Sequence, residues 1–203
     1  LTAMKGFGHT LERRWEQMTQ EQRALMLSGI VHDADRMDQI VRLLVDAARV
    51  SAGGLELFRE RVALADVLEG VREVVERDPE HPPLEWEGEP VEALLDPARL
   101  KSTILSFAEA LVWWGSGGPI LVRTEKRGDG VHVSVRRRCE EPLDDAAVED
   151  LFRPRRPGMG QGSKIGLYVA REVARAQNGR AWGTVDDGWL TFRLELPAEP
   201  DDA

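Results

Sequence analysis

The spacing of apolar residues changes character at residue 51, and this change constrains the fold more than any other feature of the chain. Before it, Leu1, Met4, Leu11, Trp15 and Met18 recur at threes and fours, with Gly8 filling the one gap. Leu27, Ile30, Ala34, Met37, Val41, Leu44 and Ala48 then keep the same alternation. Each set falls on a single stripe of an α-helix. Thr19, followed by Gln22, predicts a capping box at the start of the second helix. Two such helices in succession form a hairpin. A heptad-like seam on both, with no third helix to cover it, predicts that two hairpins pair as an antiparallel four-helix bundle in a twofold dimer. The competing arrangement packs the seam against the rest of the same chain.

"SAGG" at 51–54 closes the second helix, so the domain boundary is expected there, with residues 1–52 as the helical hairpin and 55–199 as a second domain. Beyond it strands and helices intermix. "LELFRERV" reads as a strand, "ALADVLEGVREVVERD" as a helix and "VEALLD" as a strand. "DPARLKSTILSFAEALVWWG" reads as a long helix capped by Asp96 with Pro97 in its first turn. "PILVRTEKRGDGVHVSVRRR" predicts a hairpin around Gly128, Asp129 and Gly130, followed by a short helix near Asp144 to Phe152. "IGLYVAREVARAQNG" is a helix stopped by Gly179, and "RAWGTVDDGWLTFRLELP" is a closing hairpin. The expected class is therefore α+β, a helical hairpin followed by an α/β sandwich with one sheet covered by helices on one face.

Composition narrows the function classes. The 203 residues are 42% hydrophobic and carry a formal net charge of -9, which supports a packed core and disfavours nucleic acid as a partner. Cys139 is the single cysteine, so no intramolecular disulfide framework exists. That fits a reducing, cytoplasmic compartment. No apolar run approaches membrane-spanning length, and no membrane contact is expected from these residues. A leucine at position 1 with no signal-like segment after it is expected of a piece of something longer, whose remainder holds any membrane or sensor region.

The order of elements resembles the cytoplasmic half of a two-component sensor histidine kinase, over nearly the whole chain. "LTAMKGFGHTLERRW" is similar to the segment after the phosphoacceptor motif of the dimerisation domain, and "DADRMDQIVRLLVDAARVSAGGLEL" resembles the end of that domain. "LLDPARLKSTILSFAEAL" resembles the first helix of the nucleotide site. Right order and right spacing make the match specific. The resemblance implies autophosphorylation of a histidine from Mg-ATP and transfer of the phosphoryl group to an aspartate of a response regulator. The acceptor histidine is expected upstream of Leu1. His9 and His32 lie on helices but lack the proline of the acceptor motif, and no catalytic residue is assigned within the chain.

Three clusters hold nucleotide in the family, and the residues at the matching positions predict that ATP and magnesium are not held here. The two helix asparagines, one a magnesium ligand, fall on Ser106 and Ala110, with Glu109 beside them, and the basic residue facing the phosphates falls on Trp113. A methyl group cannot ligate a hard cation. The aspartate that accepts the adenine amine is replaced by Arg137 or Arg138 within "VSVRRRCEEPLDD", with Cys139 and Glu141 near the expected glycines. That exchange meets a donor with donors. A one-residue shift of the loop, bringing Glu140 or Glu141 to the spot, is the alternative. In the glycine loop Gly162 and Gly166 remain while Lys164 takes the middle position, where a positive φ would strain it. Gly162 and Gly166 then serve to turn the chain into its helix.

The remaining arginines of "RRRCEEPLDDAAVEDLFRPRRPGMGQGSK" read as a surface of local ion pairs, or as an anion or acidic-partner site. Trp113 and Trp114 point about 100° apart, so only one can face a core. Trp15, Trp86, Trp182 and Trp189 read as packing. Three functions follow: a degenerate kinase acting as a homodimeric scaffold that docks a response regulator or a partner histidine kinase; an ATP-independent phosphotransfer protein; or an active kinase with a diverged pocket. The first is preferred.

Overall fold

The computed structural model describes residues 2–78, 81–128, 130–140, 143–153 and 164–197. They divide into two compact units, Leu1–Val45 and Asp46–Ala203.

The first unit holds helix α1 (Thr2–Arg14), a 3-10 turn (Trp15–Gln17) and most of α2 (Gln20–Ser51). The capping box forms as the sequence predicts. Thr19 N donates to Gln22 Oε1 at 3.0 Å, and Gln22 N donates to Thr19 Oγ1 at 3.2 Å, which together fix where α2 begins. The two helices meet where Gly29 leaves room for the Phe7 ring; a Cβ there would lie 2.8 Å from it. Leu11 is buried, but Leu27, Met37, Val41 and Leu44 of the expected seam are exposed. The helix ends at the SAGG signal, where Gly54 N donates to Arg49 O at 2.9 Å. The compact units divide several residues earlier than that signal, and Asp46, the first residue of the second unit, forms an ion pair with Arg99 of the same unit.

In the second unit β1 (Glu60–Ala63) pairs antiparallel with β3 (Glu92–Leu95). A separate five-stranded sheet has the order β2 (Leu84–Gly88), β4 (Ile120–Arg127), β5 (Gly130–Arg138), β7 (Trp189–Pro197), β6 (Arg180–Asp186). Its β2–β4 pair is parallel and the others antiparallel. The hairpins at 120–138 and 180–197 stand as predicted. Strand β2, absent from the sequence reading, is a short edge strand whose partner lies over thirty residues away, so no local turn announces it. Helices α3 (Leu64–Val75), α4 (Pro97–Trp114) and α6 (Lys164–Ala176) pack with the sheet's inner face, and α5 (Asp145–Leu151) lies against β6. The core includes Phe107 of α4 and Phe192 of β7, stacked at 5.5 Å, with Phe152 edge-on to Phe192 at 5.7 Å.

Candidate functional site

Helix α4 is positioned by its cap. Asp96 is buried; its Oδ1 accepts from Arg99 N at 3.0 Å, and its Oδ2 accepts from Phe58 N at 2.9 Å. One carboxylate thus starts the helix and holds the preceding segment to it. Along α4, Ser106 and Ala110 are one turn apart on the buried face. Glu109 is half-buried. Of the two indoles, Trp114 packs against the core and Trp113 is exposed.

Ser106 and Gly166 come together. The Ser106 hydroxyl donates back to Ser102 O at 2.9 Å, and α6 passes so close that a Cβ on Gly166 would lie 2.8 Å from Ser106 Oγ. The expectation that Gly166 turns the chain into its helix is corrected: it is the third residue of α6, and its missing side chain permits two helices to touch. Lys164 is the first residue of α6. Gly162 and Glu141 lie outside the described residues.

Strand β5 separates the two candidate arginines by its period of two. Val131, Val133 and Val135 face inward, so Arg137 does too, while Arg136 and Arg138 face outward. Arg137 is buried at 9% exposure; its Nε donates to Gly118 O and its Nη1 to Leu111 O, each at 3.2 Å. Burial lowers its pKa from the ordinary arginine value. A guanidinium nonetheless stays charged near neutrality, and it sits against the carbonyl end of α4, where the helix dipole favours a cation. The loop leaving α4 is laced to the same strand end: Ser116 N donates to Arg138 O at 2.7 Å, and the Cys139 thiol donates to Trp114 O at 3.1 Å. Arg138 lies elsewhere, over the Trp189 ring at 4.3 Å, and its Nη1 donates to Asp187 O at 3.1 Å. The choice between Arg137 and Arg138 was readable from the alternation of "VHVSVRRR"; the carbonyl partners were not, because they belong to a helix end and a loop.

The tryptophans assigned to packing include surface platforms instead. Trp15 is exposed with Arg23 over its ring at 4.6 Å, and Trp189 lies between Arg136 and Arg138. Indole faces attract guanidinium, and "RRR" supplies it from the outer side of the sheet. Among the described residues no group of three or more His, Cys, Asp or Glu side chains could hold a metal ion, and no helix is long and apolar enough to cross a membrane.

Solved structures define the class. The histidine kinase AdeS of Acinetobacter baumannii matches 97% of this chain and 94% of its own with a TM-score of 0.69 at 14% identity. The isolated catalytic domain of the histidine kinase ThkA covers 73% of this chain at a TM-score of 0.63 and 20% identity. Full-length ShkA in complex with AMPPNP gives 0.70 at 23% identity, over all of this chain and 44% of that one. The fold is a helical hairpin followed by an α/β sandwich of the histidine-kinase ATPase type. Curated sequences agree. A bacteriophytochrome of Pseudomonas aeruginosa is 31% identical over 180 residues, 81% of this chain and 24% of its own length. The sensor histidine kinase MtrB of Mycolicibacterium paratuberculosis is 29% identical over 182 residues, 83% of this chain and 32% of its own. The chain belongs to the sensor histidine kinase family, and it spans about a quarter to a third of the length of these relatives. No family model matches it.

Proposed function

We propose that this chain is the cytoplasmic part of a two-component signalling protein that has lost Mg-ATP binding and works by dimerising and docking a response regulator or a partner histidine kinase. The observation that carries the reading is Arg137. At the position where the family resemblance expects a carboxylate for the adenine amine, a buried guanidinium is held by the carbonyls of Leu111 and Gly118. Facing an amine, it offers only donors, and an unmatched buried polar pair costs about 1–3 kcal/mol. Two further departures add to this. Ala110 presents a methyl where a magnesium ligand is expected, and the Ser106 hydroxyl is turned back into its own helix beneath Gly166. The residues present do not fit a magnesium-bound adenine nucleotide. The exposed seam of α2 supports the dimer.

Isothermal titration calorimetry with Mg-ATP tests the reading. The expected result is no saturable heat at millimolar nucleotide. A dissociation constant below about 100 μM, within the ordinary range for a working ligand site, overturns the proposal and favours the reading of a kinase with a diverged pocket.

A further inference from the structure

The outer face of the five-stranded sheet carries Arg123 on β4, Arg136 and Arg138 on β5, and Arg193 on β7. The register makes them neighbours. Ser134 pairs with Arg123 on one side and Arg193 on the other, and Arg138 pairs with Trp189. Several arginines elsewhere in this acidic chain have carboxylate partners, among them Arg127 with Glu125 at 2.5 Å, Arg180 with Glu195 at 2.6 Å and Arg171 with Glu149 at 2.6 Å. These four do not; among the described residues no carboxylate oxygen lies within 4.0 Å of their guanidinium nitrogens. Their contacts are neutral. Trp189 is sandwiched between Arg136 at 4.7 Å and Arg138 at 4.3 Å, Arg138 also donates to Asp187 O, and Arg193 donates to the Thr184 hydroxyl. Burial lowers the Arg193 pKa, and the nearby cations Arg127 and Arg136 lower it further, against the pull of Asp186. None of the four is closed into a direct ion pair, although Glu87 is the register partner of Arg123 and Asp186 acts on Arg193, so the row is a local basic patch in a chain of net charge -9.

We propose that this face is a docking surface for an extended acidic peptide segment of a partner protein, one with carboxylates at alternate positions. Charge complementarity sets the sign of the partner, and guanidinium prefers carboxylate because its donors match both oxygens. Spacing sets the form. Arg136 and Arg138 project from one face of a strand two residues apart, roughly 7 Å, which is the same-side repeat of an extended peptide. The indole between them holds both guanidiniums in place and supplies the kind of aromatic and arginine pairing that interfaces favour. The borders set the length. Glu85 and Glu87 of β2, on one side, and Glu195 and Asp186, on the other, frame the patch with acid, so a short segment is accommodated and a long polyphosphate backbone is repelled. The proposal does not depend on whether the opposite face of the domain binds nucleotide.

Fluorescence anisotropy at low ionic strength tests it, with a labelled peptide of sequence EGEGEG, a same-charge peptide EEEGGG, and a ten-residue uridylate. EGEGEG is expected to saturate, to bind more tightly than EEEGGG, and to lose at least tenfold in affinity with Arg136→Gln/Arg138→Gln, while Arg72→Gln, an exposed arginine of α3, changes nothing. Thermal melting checks that the double variant is folded; Arg136→Gln alone, whose side chain meets the Trp189 ring on the surface, takes its place if the double variant melts early. Absence of saturation, equal affinity for the two peptides, or retained affinity in the arginine variants overturns the proposal. Tighter binding of the uridylate also overturns it, in favour of a single-stranded nucleic acid.

Discussion

Arg137 is held by two main-chain carbonyls, and its contribution is therefore measurable apart from any ligand. Arg137→Met keeps most of the aliphatic stem but leaves Gly118 O without its charged donor and weakens the bonding at Leu111 O. The expected loss is about 1–3 kcal/mol in urea denaturation; no loss means the guanidinium is not what ties the loop to the helix end. His132 makes a second residue-scale prediction. It is 4% exposed, with Glu125 on β4 and Glu195 on β7 beside it in register, Nδ1 3.2 Å from Glu125 Oε1, and Arg127 and Arg193 nearby. Burial first, then Arg127, lowers its pKa, which Glu125 and Glu195 oppose without reversing. The folded state thus binds this proton more weakly than the unfolded state. The histidine's share of stability is full above the unfolded value near 6.5 and is lost as pH falls through it towards the lower folded value. The slope contributed in that window is at most about 1.4 kcal/mol per pH unit. Urea midpoints measured from neutral to mildly acid pH are expected to fall less steeply in His132→Gln than in the parent.

At the scale of elements, α4 shows what the sequence made legible. Asp96 followed by Pro97 announced its start, and the cap is there. What the sequence did not show is that the second oxygen of the same carboxylate holds Phe58 N, thirty-eight residues earlier in the chain. Asp96→Asn keeps an oxygen for the cap and loses the Phe58 acceptor, whereas Asp96→Ala loses both. Alanine is expected to cost about 1–2 kcal/mol for the cap alone, with more for the orphaned Phe58 amide, and asparagine clearly less. Equal losses would remove the dual role. The meeting of α4 and α6 is similar. Local glycine spacing suggested a turn, but only the three-dimensional crossing reveals that Gly166 lies on Ser106. Gly166→Ala is expected to destabilise by about 1–3 kcal/mol, as overpacking does, and Ser106→Gly in the same chain is expected to return part of that loss by removing the side chain it meets. Strand β2 escaped the sequence reading for the same reason as the Phe58 contact: its partner is remote, and short edge strands carry little period of their own.

For the whole molecule the exposed stripe on α2 carries the most weight. In α2 Leu43 is buried while Leu44, about 100° further round, is exposed, together with Leu27, Met37 and Val41. The period of apolar residues was plain in the sequence, and it correctly marked a helical hairpin; which part of the stripe closes the hairpin and which part faces outward depends on Phe7, Gly29 and Leu11, and no single-helix pattern contains that information. A row of large apolar side chains left in water on one helix is an association surface. The dimer proposed above would set this stripe against its own copy about a twofold axis, giving a four-helix bundle. Sedimentation equilibrium at micromolar concentration is expected to give a dimer for the parent and a monomer for Val41→Glu/Leu44→Glu, since two carboxylates per protomer would have to leave water at the seam. Far-UV circular dichroism is expected to show a modest fall in total helical content for the variant, as the hairpin helices lose their cover while the second unit keeps its fold. A parent that sediments as a monomer, or a dimer indifferent to both glutamates, would place the seam outside the interface and remove the basis for a dimeric scaffold.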